Sequence, residues 1–321
     1  MKNFIIIIFC LYSFIAPVHS QEKTVIRNSI EQNQDKEEPD GWLGRQIEGE
    51  LDSYLVERFL GGGAFGSVYL ARGKEDGHSF AVKFYRSLAE GRRWPTHSGY
   101  SWPEPCLKPN PVLEWEAGEP MRDKEWEVGQ LLDHPHIIGV VDKGAAQTDE
   151  GEAMPFLVLE YLDGKTLSEV QELEWSKELA LEIAMQLTEA LGYGVEQGYL
   201  FLDLHGGNLM ISKERELKLI DLSSFFAVPE SKEAVQGHPA GIHAIYLFQS
   251  LYYQLRQILK LGGWSRQEMR WVHLQFKETM EQAKELYVTQ ETLSEGSAIF
   301  SQWLEILQAQ RVADTESREA A

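Results

Sequence analysis

The chain has 321 residues, with 50 acidic against 30 basic side chains and a formal net charge of −20. Hydrophobic residues make up 43% and aromatic residues 11%, which is enough to bury the core of one large or two-lobed domain and excludes a wholly disordered chain. An acidic excess of this size repels a phosphate backbone, so nucleic acid is not expected as a partner.

The first twenty residues read as a secretory signal peptide. Lys2 supplies the positive start, residues 4–15 form an apolar run, and Val18-His19-Ser20 precede a cut at Gln21. The run falls short of the roughly 20 residues that span a bilayer. No later stretch is long and apolar enough, so the processed chain is expected to be secreted or extracytoplasmic, with no transmembrane segment. Cys10 lies in this leader, which leaves Cys106 alone and excludes an internal disulfide after processing. Residues 21–48 are polar and charged and read as a flexible linker.

Order is expected from residue 49 to residue 312. Residues 54–60, 67–72 and 79–85 cluster β-formers between Gly-rich and Gly-Asp-type turns, the pattern of a three-stranded meander. Residues 87–115 carry Trp94, Trp102 and Trp115 among five prolines and read as an ordered insertion. A helix is expected over 121–132 and a short buried strand over 156–161. Leu179, Ile183, Ala184, Leu187, Ala190 and Leu191 recur at helical spacing behind Ser176, a good N-cap. Two short strands follow around 209–211 and 217–220. The remainder from about 240 to 312 reads as helical, with Ser265 and Glu268 spaced as a capping box. Residues 313–321 read as a disordered tail. Strands come first and helices later, so the fold class is α+β with two lobes and a cleft between them.

Several motifs carry chemistry. Leu60-Gly61-Gly62-Gly63-Ala64-Phe65-Gly66-Ser67-Val68 sits between two strands, where glycines let backbone N–H groups approach phosphates. A dinucleotide-binding loop would be followed by a helix, and a P-loop by Lys-Ser or Lys-Thr; neither follows here. Phe80-Ala81-Val82-Lys83 ends the third strand with a lysine that can face phosphate oxygens.

With these residues in hand, the sequence resembles the eukaryotic-type protein kinase family. Glu125-Trp126-Glu127-Val128 followed by Asp133-His134-Pro135-His136-Ile137-Ile138 is similar to that family's glutamate-bearing helix and the segment after it. The resemblance pairs Glu125 with Lys83, with Glu127 as the fallback. Residues 154–164 resemble the hinge, which makes Leu159 the gatekeeper and turns the backbones of Glu160 and Leu162 toward adenine. Asp203-Leu204-His205-Gly206-Gly207-Asn208 resembles the catalytic loop, and Asp221-Leu222-Ser223 the later metal-binding segment. By the family's roles Asp203 takes the proton of the attacking hydroxyl, and Asn208 and Asp221 hold Mg²⁺. By the same resemblance Gly61, Gly63, Gly66, Val68, Ala81 and Lys83 are expected to line the ATP site.

The resemblance therefore implies a bilobal protein-kinase-like fold, with an N-lobe over about 49–159 and a helical, shortened C-lobe over about 163–312. It implies ATP and Mg²⁺ as cofactors and a protein Ser/Thr-type kinase activity. Departures keep two other readings open. Phe201-Leu202 stand where the family has His-Arg, and Leu222-Ser223 where it has Phe-Gly. Ala227-Val228-Pro229-Glu230 resembles a later family segment but arrives early. The family's buried Asp on the next long helix has no clear counterpart near Gly241 or Ile242. The Asp203–Asn208 loop is also similar to that of small-molecule kinases, so the acceptor can be a protein or a small molecule. A nucleotide-binding pseudokinase is the third reading. A leader and an ATP requirement together imply a compartment supplied with ATP, or binding without turnover.

Overall fold

Alternating side chains in the first part of the chain build one curled antiparallel sheet, seen in a computed structural model that describes residues 41–62, 66–86, 119–170, 174–232 and 244–319. Contacts divide the chain into a unit ending at Trp42 and a unit running from Leu43 to Ala321, and all the described secondary structure lies in the second. The expected leader, insertion 87–115 and Cys106 lie outside the described residues. The meander is present as β2 (Ser53–Gly62), β3 (Gly66–Gly73) and β4 (Ser79–Tyr85). With β1 (Gln46–Glu48), β5 (Val140–Gln147) and β6 (Ala153–Glu160) it forms a sheet of order β1-β2-β3-β4-β6-β5.

Strand β1 corrects the expected linker, since residues 46–48 pair with residues 53–55 of β2. It also joins the far edge of the sheet. The Glu50 amide donates to the Lys143 carbonyl at 2.9 Å, and Gly49 bridges Gly144. The two edge strands thereby cover each other, which removes a free edge. The turn that makes this possible is held by the fully buried Asp142 carboxylate. It accepts from the amides of Glu50, Leu51 and Asp52 at 3.1, 3.0 and 3.2 Å and from the Tyr54 hydroxyl at 3.0 Å. A buried carboxylate is tolerated when it is satisfied in this way.

The expected helix is α1 (Glu119–Leu131), lying against the sheet. Gly129 lets it come close: a Cβ there would meet both Val140 γ-carbons at 2.5 Å and Leu222 at 3.1 Å. The following segment hands the chain to the second lobe. Ile138 donates to the Leu219 carbonyl and Leu219 to the His136 carbonyl, each at 2.9 Å. His134 stacks on Tyr193 at 4.8 Å, and His136 Nδ1 contacts the Leu217 carbonyl at 3.0 Å, so both histidines pack this junction.

The second lobe centres on α2 (Lys177–Glu196), capped by the Ser176 hydroxyl accepting from the Leu179 amide at 3.1 Å. The six apolar residues read from its periodicity are all buried. Around it lie α3 (Ala244–Leu261), α4 (Arg270–Ala283) and α5 (Leu293–Glu319). The Ser265–Glu268 box forms in both directions, at 2.8 and 3.2 Å, but closes the turn before α4 and not its first turn. Helix α5 corrects the expected tail, as residues 313–319 continue it. Small sheets frame the Asp203–Asn208 and Asp221 segments: β7 (Gly164–Thr166), β9 (Leu209–Ser212) and β10 (Leu217–Leu219) in one, β8 (Tyr199–Phe201) and β11 (Phe225–Ala227) in the other.

Candidate active site

Strand pairing explains how the candidate site's sheet residues meet. Val68 lies opposite Lys83 in the β3–β4 register, and Ala81 lies opposite Leu159 in the β4–β6 register. Val82 and Phe84 are buried on the other face, so the period of two leaves Ala81 and Lys83 on one half-buried face. The glycines differ in role. A Cβ on Gly66 would stand 1.7 Å from the Phe84 carbonyl oxygen, so the β3–β4 pairing itself requires glycine there. A Cβ on Gly61 would meet nothing within 4 Å, which leaves open space at that backbone. Gly63 lies outside the described residues.

Lys83 Nζ donates to Glu125 Oε1 at 2.7 Å and lies 3.7 Å from Asp221 Oδ1. Glu125 is buried, whereas Glu127, the fallback, is exposed. Burial pulls the Lys83 pKa down, but the Glu125 and Asp221 carboxylates outweigh it and hold the ammonium charged. Burial likewise pushes Asp221 up, and Lys83 with the Ser223 and Ser224 hydroxyls brings it below the ordinary carboxylate value. Those two hydroxyls donate to Asp221 Oδ1 and Oδ2 at 2.7 and 2.8 Å. Burial raises the Glu125 pKa against the pull of Lys83. The cluster thus keeps one cation between two acids, out of water, where each charge interaction is strong.

The Asp203–Asn208 loop is placed by the β8–β11 and β9–β10 pairings on its two sides. Phe201 packs edge-on to Phe225 at 4.9 Å, and the Leu202 amide donates to the Ser224 carbonyl at 2.9 Å. An apolar pair therefore fills the place of the family's His-Arg and still ties the loop to the Asp221 segment. Asn208 Nδ2 donates to the Asp203 carbonyl at 2.9 Å, while the Asn208 carbonyl accepts from Ile220 at 3.1 Å. Asn208 is thus fixed between Asp203 and the residue before Asp221. The Asp203 side chain is 68% exposed and lies 3.5 Å from His205 Nε2. The Asp203 hydrogen bond raises the His205 pKa against burial. His205 Nδ1 accepts from the Gly207 amide at 3.0 Å, which leaves Nε2–H as the donor toward Asp203.

Glu160 ends β6, with Leu162 half-buried just beyond it and Leu159 buried. The Glu160 carboxylate is turned onto the Gly139 amide at 2.9 Å and onto Lys218 at 2.6 Å, which anchors the strand as it leaves the sheet. Three contributions escaped the sequence reading. The serine clamp on Asp221 was legible in principle, because hydroxyls directly after an Asp cap it locally. His205 was read only as part of a loop motif. Gln254 had no local signal: buried on α3, it donates to the Leu204 carbonyl at 3.4 Å, and so braces the catalytic loop from the helix on which no buried Asp was found.

Comparison with known proteins agrees with this geometry. The sequence model of the family described as protein kinase domain matches residues 114–239, which contain Glu125, Glu160, Asp203, Asn208 and Asp221. Lys83 and the glycine strands precede that match. The chain is 27% identical over 186 residues to the serine/threonine-protein kinase PknB of Mycobacterium tuberculosis, covering 57% of this chain and 26% of that protein. It is 27% identical over 187 residues to PknB of Mycobacterium leprae, covering 58% and 26%. It is 26% identical over 106 residues to the probable serine/threonine-protein kinase PknB of Bifidobacterium longum, covering 31% and 15%. The chain thus matches about a quarter of the length of the mycobacterial relatives. Sheet lobe, helical lobe and the ordered charges between them give this chain a bilobal protein-kinase-like fold, of which residues 114–239 match the protein kinase domain model.

Proposed function

We propose that this chain is an ATP-dependent protein kinase that transfers the γ-phosphate to a serine or threonine hydroxyl. The observation that carries the proposal is the assembled Lys83–Glu125–Asp221 cluster, with Asn208 linking it to Asp203. Phosphoryl transfer is mostly positioning and charge neutralisation, and these residues supply both.

Asp221 and Asn208 offer hard oxygen donors suited to Mg²⁺. The Asn208 amide nitrogen is spent on the Asp203 carbonyl, which leaves its oxygen as a ligand; each Asp221 oxygen retains a lone pair beyond its serine bond. The bound ion supplies neutralisation of the phosphate oxygens. Lys83 neutralises the α- and β-phosphates, and the backbones of Glu160 and Leu162 receive adenine. The glycine strands at Gly61 and Gly66, with Val68 and Ala81, enclose the nucleotide. The exposed Asp203 takes the acceptor proton as the new oxygen–phosphorus bond forms and the β–γ bridging bond breaks.

A small-molecule acceptor is the second reading. It is favoured by the economy of the connection from β11 to α3, for which residues 228–243 alone are available. Transfer of γ-labelled phosphate from Mg·ATP separates the readings. Label on the chain itself or on added proteins, lost in Asp203→Asn, supports the protein kinase. Label only on small hydroxyl compounds supports the second reading, and none on any acceptor points to a pseudokinase.

Export behind a leader at residues 1–20 belongs to the same proposal, supported by Lys2, the apolar run 4–15 and the small residue Ser20 before Gln21. N-terminal sequencing of exported protein should begin at Gln21. Among the described residues no helix is long and apolar enough to cross a membrane.

A further inference from the structure

Four consecutive residues on α1 reach three different parts of the fold. Successive helical residues turn by about 100°, so positions 122–125 together face nearly every side of the helix. Arg122 donates to the Gly144 carbonyl on β5 at 3.1 Å, and Asp123 lies 3.7 Å from Lys143 of the same strand. Glu125 holds Lys83 of β4. Lys124 crosses instead to the segment after Asp221. Its ammonium donates to the Ser223 carbonyl at 2.8 Å and sits 3.8 Å from the Phe226 ring centroid.

These contacts close a ring. Lys124 holds the Ser223 backbone, the Ser223 hydroxyl holds Asp221 Oδ1, Asp221 Oδ1 faces Lys83, and Lys83 holds Glu125, which is the next residue to Lys124. A ring that begins and ends on adjacent residues of one helix fixes the helix and the Asp221 segment against each other. Leu222, fully buried between them, packs within reach of Gly129 on the same helix. If α1 rotates or withdraws, the Lys124 and Glu125 contacts are lost together.

We propose that Lys124 is a positioning residue for the phosphotransfer site, latching α1 to the Asp221 segment so that Lys83, Glu125 and Asp221 stay in mutual register. The inference rests on the phosphotransfer reading for its kinetic arm and on the structure alone for its latch. The half-buried Lys124 ammonium, whose pKa burial lowers, finds in the Ser223 carbonyl and the Phe226 face the contacts that keep it out of water. An arginine can reproduce both contacts; a methionine keeps the length and loses them.

The test compares full-length wild type, Lys124→Met and Lys124→Arg by hydrogen exchange and by Mg·ATP turnover. Lys124→Met should speed exchange of the α1 amides while leaving those of α2 unchanged. It should lower kcat by about a hundredfold, the scale of a small misplacement of reacting groups, with the acceptor KM little altered. Lys124→Arg should recover slow exchange and most of kcat. Ser223→Ala opens the ring at another link and should act in the same direction, less than additively with Lys124→Met. Slow α1 exchange and a wild-type kcat in Lys124→Met would overturn the proposal. If wild type transfers no phosphate at all, the function proposed above fails, while α1 exchange in Lys124→Met still decides the latch.

Discussion

Two charged regions of this domain are built in opposite ways. The Lys83, Glu125 and Asp221 side chains are 14%, 1% and 18% exposed, and each is held by the others or by a serine hydroxyl. The Asp203 and His205 side chains are 68% and 54% exposed, and among the described residues the Asp203 carboxylate meets only the His205 ring, at 3.5 Å. The Lys83–Glu125–Asp221 cluster is therefore assembled before any ligand arrives, while Asp203 presents its carboxylate to solvent. A preorganised charge cluster needs no rearrangement when phosphate charge enters. An open carboxylate suits a base that meets a separate acceptor molecule.

Substitutions can break this contrast, and the largest effect belongs on the acceptor side. Asp203→Asn should lower kcat by about 10²–10⁴-fold, the range for loss of a general base, with ATP affinity retained; single-turnover transfer beside equilibrium ATP binding checks both. Asp221→Asn should lose Mg²⁺-dependent nucleotide binding itself. Lys83→Met should cost the fold about 3 kcal/mol, because Glu125 remains buried with its charge uncompensated. Urea unfolding measures this loss. Pairing it with Glu125→Leu should return most of the stability and none of the activity, which separates the folding role of the cluster from its chemical one.

Gln254→Leu should be milder, at about 1 kcal/mol, since it removes one long hydrogen bond and leaves the Leu204 carbonyl without it. A kcat loss larger than the stability loss would show that α3 braces the catalytic loop. The smallest effect concerns the junction between lobes. Burial lowers the His134 pKa from 6.5 to about 4, so the unfolded chain binds the extra proton between those values. Stability is full above pH 6.5 and falls as pH drops toward 4, by roughly 1 kcal/mol once partial exposure is allowed for. His134→Phe, which keeps the stack on Tyr193, should flatten that acid slope in thermal melts.

The sequence was most readable where one residue type has one job. Lys83, Glu125, Asp203, Asn208 and Asp221 were legible through the family resemblance of the motifs that carry them, and the structure places Lys83, Glu125 and Asp221 in one cluster. The meander and α2 were legible because their apolar periods are regular. Strand β5 was not, because Val140-Val141-Asp142-Lys143-Gly144 puts its buried carboxylate where alternation gives no warning; Asp142 is inside only because four backbone amides and Tyr54 converge on it. Strand β1 was hidden because it is three residues long in a polar stretch, and the second edge that Gly49 bridges beyond it lies almost a hundred residues away. Lys124 and Gln254 were invisible for a third reason. A lysine and a glutamine on helices each look ordinary in sequence until the fold supplies the carbonyl they hold.

The contrast between the two regions is tested most directly by calorimetric titration of Mg·ATP into wild type, Asp203→Asn and Asp221→Asn. A nucleotide site assembled independently of the exposed loop predicts equal affinity for wild type and Asp203→Asn, and none for Asp221→Asn. Binding lost in a folded Asp203→Asn but kept in Asp221→Asn would contradict the account.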